Sequence, residues 1–282
     1  MVTFSHSGKI GDILYSLHYV YESTVRARKN CNFNINTGIP TASFSADSHD
    51  YRPMLTMKDA LFIKPLLKTL PFINDVTIDD DPVDALQLDD FRRMIALNQS
   101  GGDIRDWYYQ LDDEYLPRAF WQPIVHVTTA KDEFFAYRDS ILVSLTDRYR
   151  NPFVNFSVLR KYFDNVSFLG TQSEFDRFDK ECFHVDGIIP EEDWSLLDIA
   201  KLMSRVKGFI GNQSGLFALA EMMKIPRILV PADWVFEDEN PPDGKFRVEY
   251  GGKTTLPIGG WCCTASTTER LEAMTKEMLM LR

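Results

Sequence analysis

Hydrophobic and polar positions change period repeatedly along this chain. Short apolar runs alternate with stretches whose apolar residues recur at helical spacing, the pattern of an α/β protein. Residues 2–5 read as a first strand, followed by the glycine-containing turn His6-Ser7-Gly8-Lys9-Ile10-Gly11-Asp12. Ile13, Leu14, Leu17, Val20 and Tyr21 then mark one face of a helix. Residues 31–36 alternate as a second strand. Residues 37–53 are rich in Ser, Thr, Asp, Gly and Pro and predict a loop long enough to bind something. Residues 56–70 have a helical pattern interrupted by Pro65, and residues 75–78 form a short strand. Residues 103–121 read as one or two aromatic-rich helices. The apolar residues 123–127 fit either a strand or an extended crossing segment. Lys131-Asp132-Glu133 is the most polar stretch nearby and marks a domain boundary.

The alternation then restarts. Residues 141–145 are a buried strand, and 146–152 its outgoing loop. A helix follows around 154–163, then a strand at 166–170, a loop at 171–174 and a helix from Phe175. Residues 196–204 are amphipathic, with Leu196, Leu197, Ala200 and Met203 on one side. Residues 226–231 give a further strand. Residues 233–260 read as a long loop, and 266–281 as a terminal helix capped by Ser266 or Thr267.

The stretch that organises this pattern is residues 208–221. Phe209 and Ile210 end a buried strand, Gly211 permits a tight corner, and Asn212, Gln213, Ser214 and Gly215 lead into a helix from Leu216. Ser214 is the N-cap candidate. A helix start behind a strand in an α/β domain directs free N–H groups at the crevice where ligands bind, and the ligand they suit is an anion such as a phosphate. A plain capped βα turn has the same local pattern.

Composition narrows the picture. The 282 residues suffice for two domains, and 44% hydrophobic with 13% aromatic residues can form a large core. A formal charge of −10, from 41 acidic against 31 basic residues, argues against tight nonspecific binding to nucleic acid. The first residues carry no basic and apolar leader pattern, and no run approaches a membrane span. Cys31, Cys182, Cys262 and Cys263 have neither zinc nor CxxC spacing, and a reduced cytoplasmic setting is expected.

Several side chains are candidates for chemistry. Asp12, at the start of the first helix, is either a carboxylate favoured by the helix dipole or a general base at the crevice mouth. His6 and Lys9 flank it, and Lys9 can help hold an anion. The turn is neither a Walker motif, since Ile10 follows Gly8-Lys9, nor GxGxxG. Thr146, Arg148 and Arg150 lie at a strand's carboxyl end. The two guanidiniums suit a diphosphate or surface ion pairs. Asp79-Asp80-Asp81 formally matches a metal-binding DxD motif, but a solvated loop before Pro82 is the preferred reading. Glu174 is either solvent-exposed or a contact for a nucleotide base or ribose.

Lys9-Ile10-Gly11-Asp12-Ile13-Leu14-Tyr15-Ser16-Leu17 resembles the N-terminal signature of the heptosyltransferase-like glycosyltransferases, glycosyltransferase family 9. Residues 209–220 resemble that family's donor-site motif, hydrophobic-Gly-x-Asp-Ser/Thr-Gly-x-x-His. Gln213 stands where the motif has Asp, and Ala218 where it has His, which argues against an ordinary ADP-heptose donor. The resemblance implies a GT-B fold, two Rossmann-like α/β domains facing each other across a cleft. The expected division is an acceptor-side domain at 1–133, a nucleotide-sugar domain at 134–265 and a terminal helix at 266–282 packing back on the first domain. It implies a nucleotide-sugar co-substrate, an unknown acceptor, no further cofactor and no required metal. By it, Asp12 is the general base. The expected donor- or diphosphate-binding residues are Thr146, Arg148, Arg150, Asn212, Gln213, Ser214, Gly215 and Leu216, and the expected nucleotide or acceptor contacts are Lys9, Gly11 and Glu174. Other readings on the same architecture are a non-catalytic nucleotide- or sugar-binding protein, a sugar-nucleotide epimerase and a transferase acting on nucleic acid.

Overall fold

The computed structural model describes residues 2–40, 43, 52–80, 84–90, 92, 104–111, 122–162, 164, 166–182, 185–232 and 260–281. The expectations for Asp81, for residues 112–121, for most of the 37–53 loop and for nearly all of the 233–260 loop lie outside these.

Strands β1 (Thr3–His6), β2 (Cys31–Ile35), β3 (Ile73–Ile78) and β4 (Leu86–Gln87) form a parallel sheet in the order β3-β2-β1-β4. Parallel neighbours need a crossover connection. Helix α1 (Ile10–Ala27) supplies the first and α2 (Met57–Leu67) the second. The stripe expected of α1 is fully buried at Ile13, Leu14, Leu17 and Val20. Thr56 and Asp59 cap α2 reciprocally, the Thr56 amide donating to Asp59 Oδ2 at 2.9 Å and the Asp59 amide to Thr56 Oγ1 at 3.2 Å. A short helix, α3 (Ile104–Tyr108), packs on α1.

The second sheet is also parallel. Its strands are β5 (Ile141–Ser144), β6 (Val166–Leu169), β7 (Asp186–Ile188), β8 (Gly208–Gly211), β9 (Arg227–Leu229) and β10 (Cys262–Thr264), in the order β10-β9-β8-β5-β6-β7. Helices α4 (Gln172–Cys182), α5 (Leu196–Met203), α6 (Gly215–Met223) and α7 (Thr268–Met280) accompany it. Alternation divides its side chains between two cores. Leu142, Leu169, Phe209 and Leu229 join the cluster that contains α1, α5 and α6, whereas Ile141, Val143, Phe168, Ile210 and Ile228 join the cluster under α7.

Two parallel sheets separated along the chain are the α/β, GT-B-like architecture expected. Some elements differ from the sequence reading. Helix α4 starts at Gln172 because Thr171 and Glu174 cap it, the Thr171 amide and hydroxyl donating to Glu174 Oε2 at 2.9 and 2.8 Å. The helix expected at 154–163 is a 3-10 turn, Phe156–Lys161. Residues 123–127 are an extended crossing segment, with the Ile124 amide donating to the Met222 carbonyl at 2.8 Å. The terminal helix α7 packs on β9 and the 3-10 turn of the second sheet, correcting its expected return to the first domain. Leu271 and Met278 are apolar and face that core, so burial decides the partner.

The two halves share one apolar core, which runs from Phe4 and Phe33 through α1 and α6 to Phe209. Helices α1 and α6 lie side by side in the same direction. A β-carbon added at Gly11 would sit 3.7 Å from Gly215 Cα and 4.0 Å from Ala218 Cβ. Further along the seam, Glu221 is fully buried between Arg105 of the first half and Arg227 of the second, at 2.7 and 2.6 Å. Lys224 also reaches Glu221, at 2.6 Å, and burial brings this ammonium's pKa down to about 8. Burial, with Lys224 and Arg105 nearby, holds His18 of α1 neutral, its pKa well below the ordinary value of 6.5. Below pH 6.5 the unfolded chain therefore takes up a proton that the folded chain refuses. Stability present above that pH is lost as pH falls through it, by up to about 1.4 kcal/mol per pH unit for this one group. Melting curves between pH 8 and pH 5 should show this fall, and His18→Gln should flatten it.

Candidate active site

A cleft of about 1230 Å³ opens between the two halves. Its floor is made by the two helix starts. Lys9, Ile10 and Gly11 come from the head of α1, and Ser214, Gly215 and Leu216 from the head of α6. These ends meet at glycines. A β-carbon on Gly215 would lie 3.4 Å from Ile10 Cγ2 and 3.6 Å from the Gly11 nitrogen, in van der Waals contact with the opposing helix start. Ser214 caps α6 as expected, its Oγ accepting from the Phe217 amide at 3.3 Å. Each helix start carries partial positive charge. Two of them meet at one place here. Asp12 in the first turn of α1 offsets part of that charge, and the first turn of α6 carries no acid.

The first-half wall is α2, with Leu55, Lys58, Asp59, Phe62 and Pro65. The opposite wall includes Thr146, Glu174, Glu191, Glu192, Asp193 and Trp194. The lining thus holds two lysines against five carboxylates. The sequence reading missed Lys58 and the residues 191–194. Both are ordinary polar helix and loop positions, and only the folding of α2 and the loop after β7 against each other brings them to one cleft.

The predicted residues divide clearly. Lys9, Gly11, Thr146, Glu174, Ser214, Gly215 and Leu216 line the cleft. Glu174 does so while capping α4 with its carboxylate. Arg150 is committed elsewhere, its guanidinium 2.6 Å from Glu181, whose other oxygen accepts from the Phe156 amide at 2.8 Å. Arg150 is thus not among the residues that line the cleft, and Glu181 on α4 is its counter-charge. Arg148 lies in a 3-10 turn, Asp147–Tyr149, and its side chain is outside the described residues. Asn212 also departs from expectation. It is fully buried and clips two strand ends together, Nδ2 donating to the Thr146 carbonyl at 2.7 Å and Oδ1 accepting from the Thr146 amide at 3.1 Å. Gln213 follows it, with a buried Oε1. Ala218 is fully buried in the α1–α6 seam, where an imidazole in place of its methyl would meet Gly11. Asp79 accepts from the Thr37 amide and hydroxyl, both at 2.7 Å, so it serves to tie down a turn.

Asp12 follows the floor residues Lys9, Ile10 and Gly11 in the chain and is not itself among the residues that line the cleft. Its Oδ2 accepts from the Lys9 amide at 3.2 Å and pairs with the guanidinium of Arg92. Arg92 in turn lies 3.6 Å from Asp89. Asp89 is buried, accepts from the Ser7 hydroxyl at 2.7 Å, and lies 3.0 Å from His6 Nδ1. Burial would raise the Asp89 carboxyl, but His6 and the Ser7 amide and hydroxyl hold it well below the usual carboxylate range. His6 Nε2 is 2.9 Å from the Tyr108 hydroxyl, which donates to the Asp12 carbonyl at 2.8 Å. Arg92, Asp89 and Tyr108 carried no recognisable motif. They are distant in sequence and meet only because β4 pairs with β1 and α3 packs on α1.

No protein-family model and no curated protein matches the chain. Several solved structures are similar in fold. The glycosyl transferase family 9 protein of Veillonella parvula superposes with a TM-score of 0.55 at 11% identity, over 100% of this chain and 89% of that one. Escherichia coli ADP-heptose lipopolysaccharide heptosyltransferase II gives 0.52 at 12% identity, over 99% of both chains. The iron-containing dodecameric glycosyltransferase TibC of enterotoxigenic E. coli gives 0.55 at 14% identity, over 99% of this chain and 74% of that one. At these identities the likeness shows the fold, which is that of GT-B glycosyltransferases.

Proposed function

We propose that this protein is a glycosyltransferase that moves a sugar from a nucleotide-diphosphate donor to an acceptor hydroxyl. The observation that carries the reading is the meeting of two helix N-termini, one from each parallel sheet, on the floor of a cleft between the halves. Their free N–H groups suit a diphosphate and stabilise the charge that develops on it as it leaves. Lys9 and Lys58 add the nearby positive charge. The carboxylates of the opposite wall suit hydroxyl-rich groups, because ribose and hexose hydroxyls donate hydrogen bonds to them. Asp12 removes the acceptor's proton from the first-half side. The division near residue 133 and independence from a metal belong to the same proposal.

Calorimetry tests the anion site. Nucleoside diphosphates should bind about 10–100-fold more tightly than the matching nucleosides, the ratio expected of roughly 1.5–3 kcal/mol in hydrogen bonds to a charged group. Equal affinity for the two series would remove the helix ends from the donor site. A second reading, a non-catalytic nucleotide-binding protein, draws on the pairing of Asp12 with Arg92, which already engages the carboxylate. Persistent nucleotide binding without turnover of any nucleotide sugar would favour it.

A further inference from the structure

We infer that Arg92 is a positioning residue for Asp12, held ready by Asp89, and that it leaves one carboxylate oxygen of Asp12 to act as the base. The inference rests on the general-base reading of Asp12.

The division of labour between the two oxygens carries the argument. Oδ2 of Asp12 takes both the Arg92 guanidinium and the Lys9 amide. Oδ1 receives no hydrogen bond among the described residues, and the side chain keeps 18% of its surface open. A carboxylate anchored through one oxygen has its χ angles fixed and presents the other oxygen's lone pairs in one direction. A base must be within hydrogen-bond reach of the proton it takes, and a loosely held carboxylate spends little time there. Two donors on Oδ2 remove that freedom.

The guanidinium is itself held. Its side chain is 9% exposed, and Asp89 lies on its other side. Asp89 cannot swing away, because the Ser7 hydroxyl binds it and His6 lies against it. Tyr108 fixes the backbone of Asp12 from the opposite direction, donating to its carbonyl. The turn has no slack either. A β-carbon at Gly8 would lie 2.6 Å from His6 Cε1 and 3.0 Å from Asp12 Cβ. Backbone, Oδ2 and turn are each constrained, and Oδ1 is the atom left over.

In the step this serves, an acceptor O–H gives its proton to Asp12 Oδ1. The acceptor oxygen bonds to the anomeric carbon of the donor sugar. The bond from that carbon to the phosphate oxygen breaks, and its electron pair leaves with the nucleoside diphosphate. Arg92 touches neither partner. Its role is orientation of the carboxylate.

The test uses the full chain and a panel of nucleoside-diphosphate sugars with water as acceptor, read by nucleotide release. Arg92→Gln should lower kcat about 10²-fold, the scale of a misplaced catalytic group. Donor KM should stay within about twofold. Arg92→Lys keeps the cation but loses the planar fork and should recover part of the loss. Asp89→Asn, which does not touch Asp12, should lower kcat in the same direction. Melting temperatures normalise each value to folded protein, and if Arg92→Gln fails to fold, the other two variants carry the measurement. Loss of turnover in Asp12→Asn with unchanged kcat in the Arg92 and Asp89 variants would overturn the inference and leave the base assignment standing. A loss in the Arg92 variants that appears in donor KM would make Arg92 a substrate contact and overturn it too. Unchanged turnover in Asp12→Asn, or no turnover by the unmodified chain, would overturn the base assignment and this inference with it.

Discussion

Asp12→Asn should lower donor turnover about 10²–10⁴-fold, the range for loss of a positioned general base, while donor affinity stays near its original value. The substitution separates two roles that share one side chain. Asparagine keeps an oxygen where Oδ2 accepts from the Lys9 amide, so the head of α1 remains capped. It removes the negative charge that pairs with Arg92, and it removes the lone-pair basicity of the carboxylate. If Asp12 only caps α1 and balances Arg92, the variant melts earlier and each folded molecule turns over donor at the original rate. If Asp12 is the base, the melting temperature changes little and kcat collapses. Nucleotide release and melting curves on the same preparation distinguish the two.

The second large effect concerns Glu221 and is one of stability. This carboxylate is fully buried between Arg105, Arg227 and Lys224. Glu221→Ala leaves these cations in a low-dielectric seam without it, and removing one partner of a buried pair costs about 3–5 kcal/mol. In a chain of this size that is a fall in Tm on the order of 10 °C. Replacing both partners of the cross-seam pair, Glu221→Leu with Arg105→Met, should recover part of the loss, because the stranded guanidinium is gone. A Glu221→Ala variant that melts within a degree or two of the original would show that the seam is solvated.

Most of the fold was legible in the sequence because its strands are apolar runs and its helices carry clear stripes. The α1 stripe and the Gly211 to Leu216 corner left little choice of element. The strands that escaped notice are β4, β7 and β10, of two or three residues each and partly polar. They exist because a neighbouring strand offers them hydrogen bonds, and no local pattern records that. The cleft floor was legible for the same reason as the corners, since glycine and a capping serine announce a helix start. The walls were not. Arg150 and Asn212 had the right chemistry for a diphosphate, and each found a nearer partner, Glu181 and Thr146, that only packing supplies. Arg92 and Asp89 were invisible for the converse reason. Nothing distinguishes them along the chain, and their proximity to Asp12 is a product of strand order.

The glycine seam between α1 and α6 bears on how such a protein can change over generations. Enzymes built of separable modules can exchange one module for another and acquire a new donor or acceptor. Here an exchange of halves would have to bring matching residues on both sides. Gly11 must meet Gly215 and Ala218, and Arg105 must arrive with Glu221. A foreign half carrying a residue much larger than alanine at either glycine would crowd the opposing helix start, and one lacking Arg105 or Glu221 would strand a buried charge. The fit of this seam therefore constrains an exchange of halves, whereas point changes in the cleft walls leave it untouched.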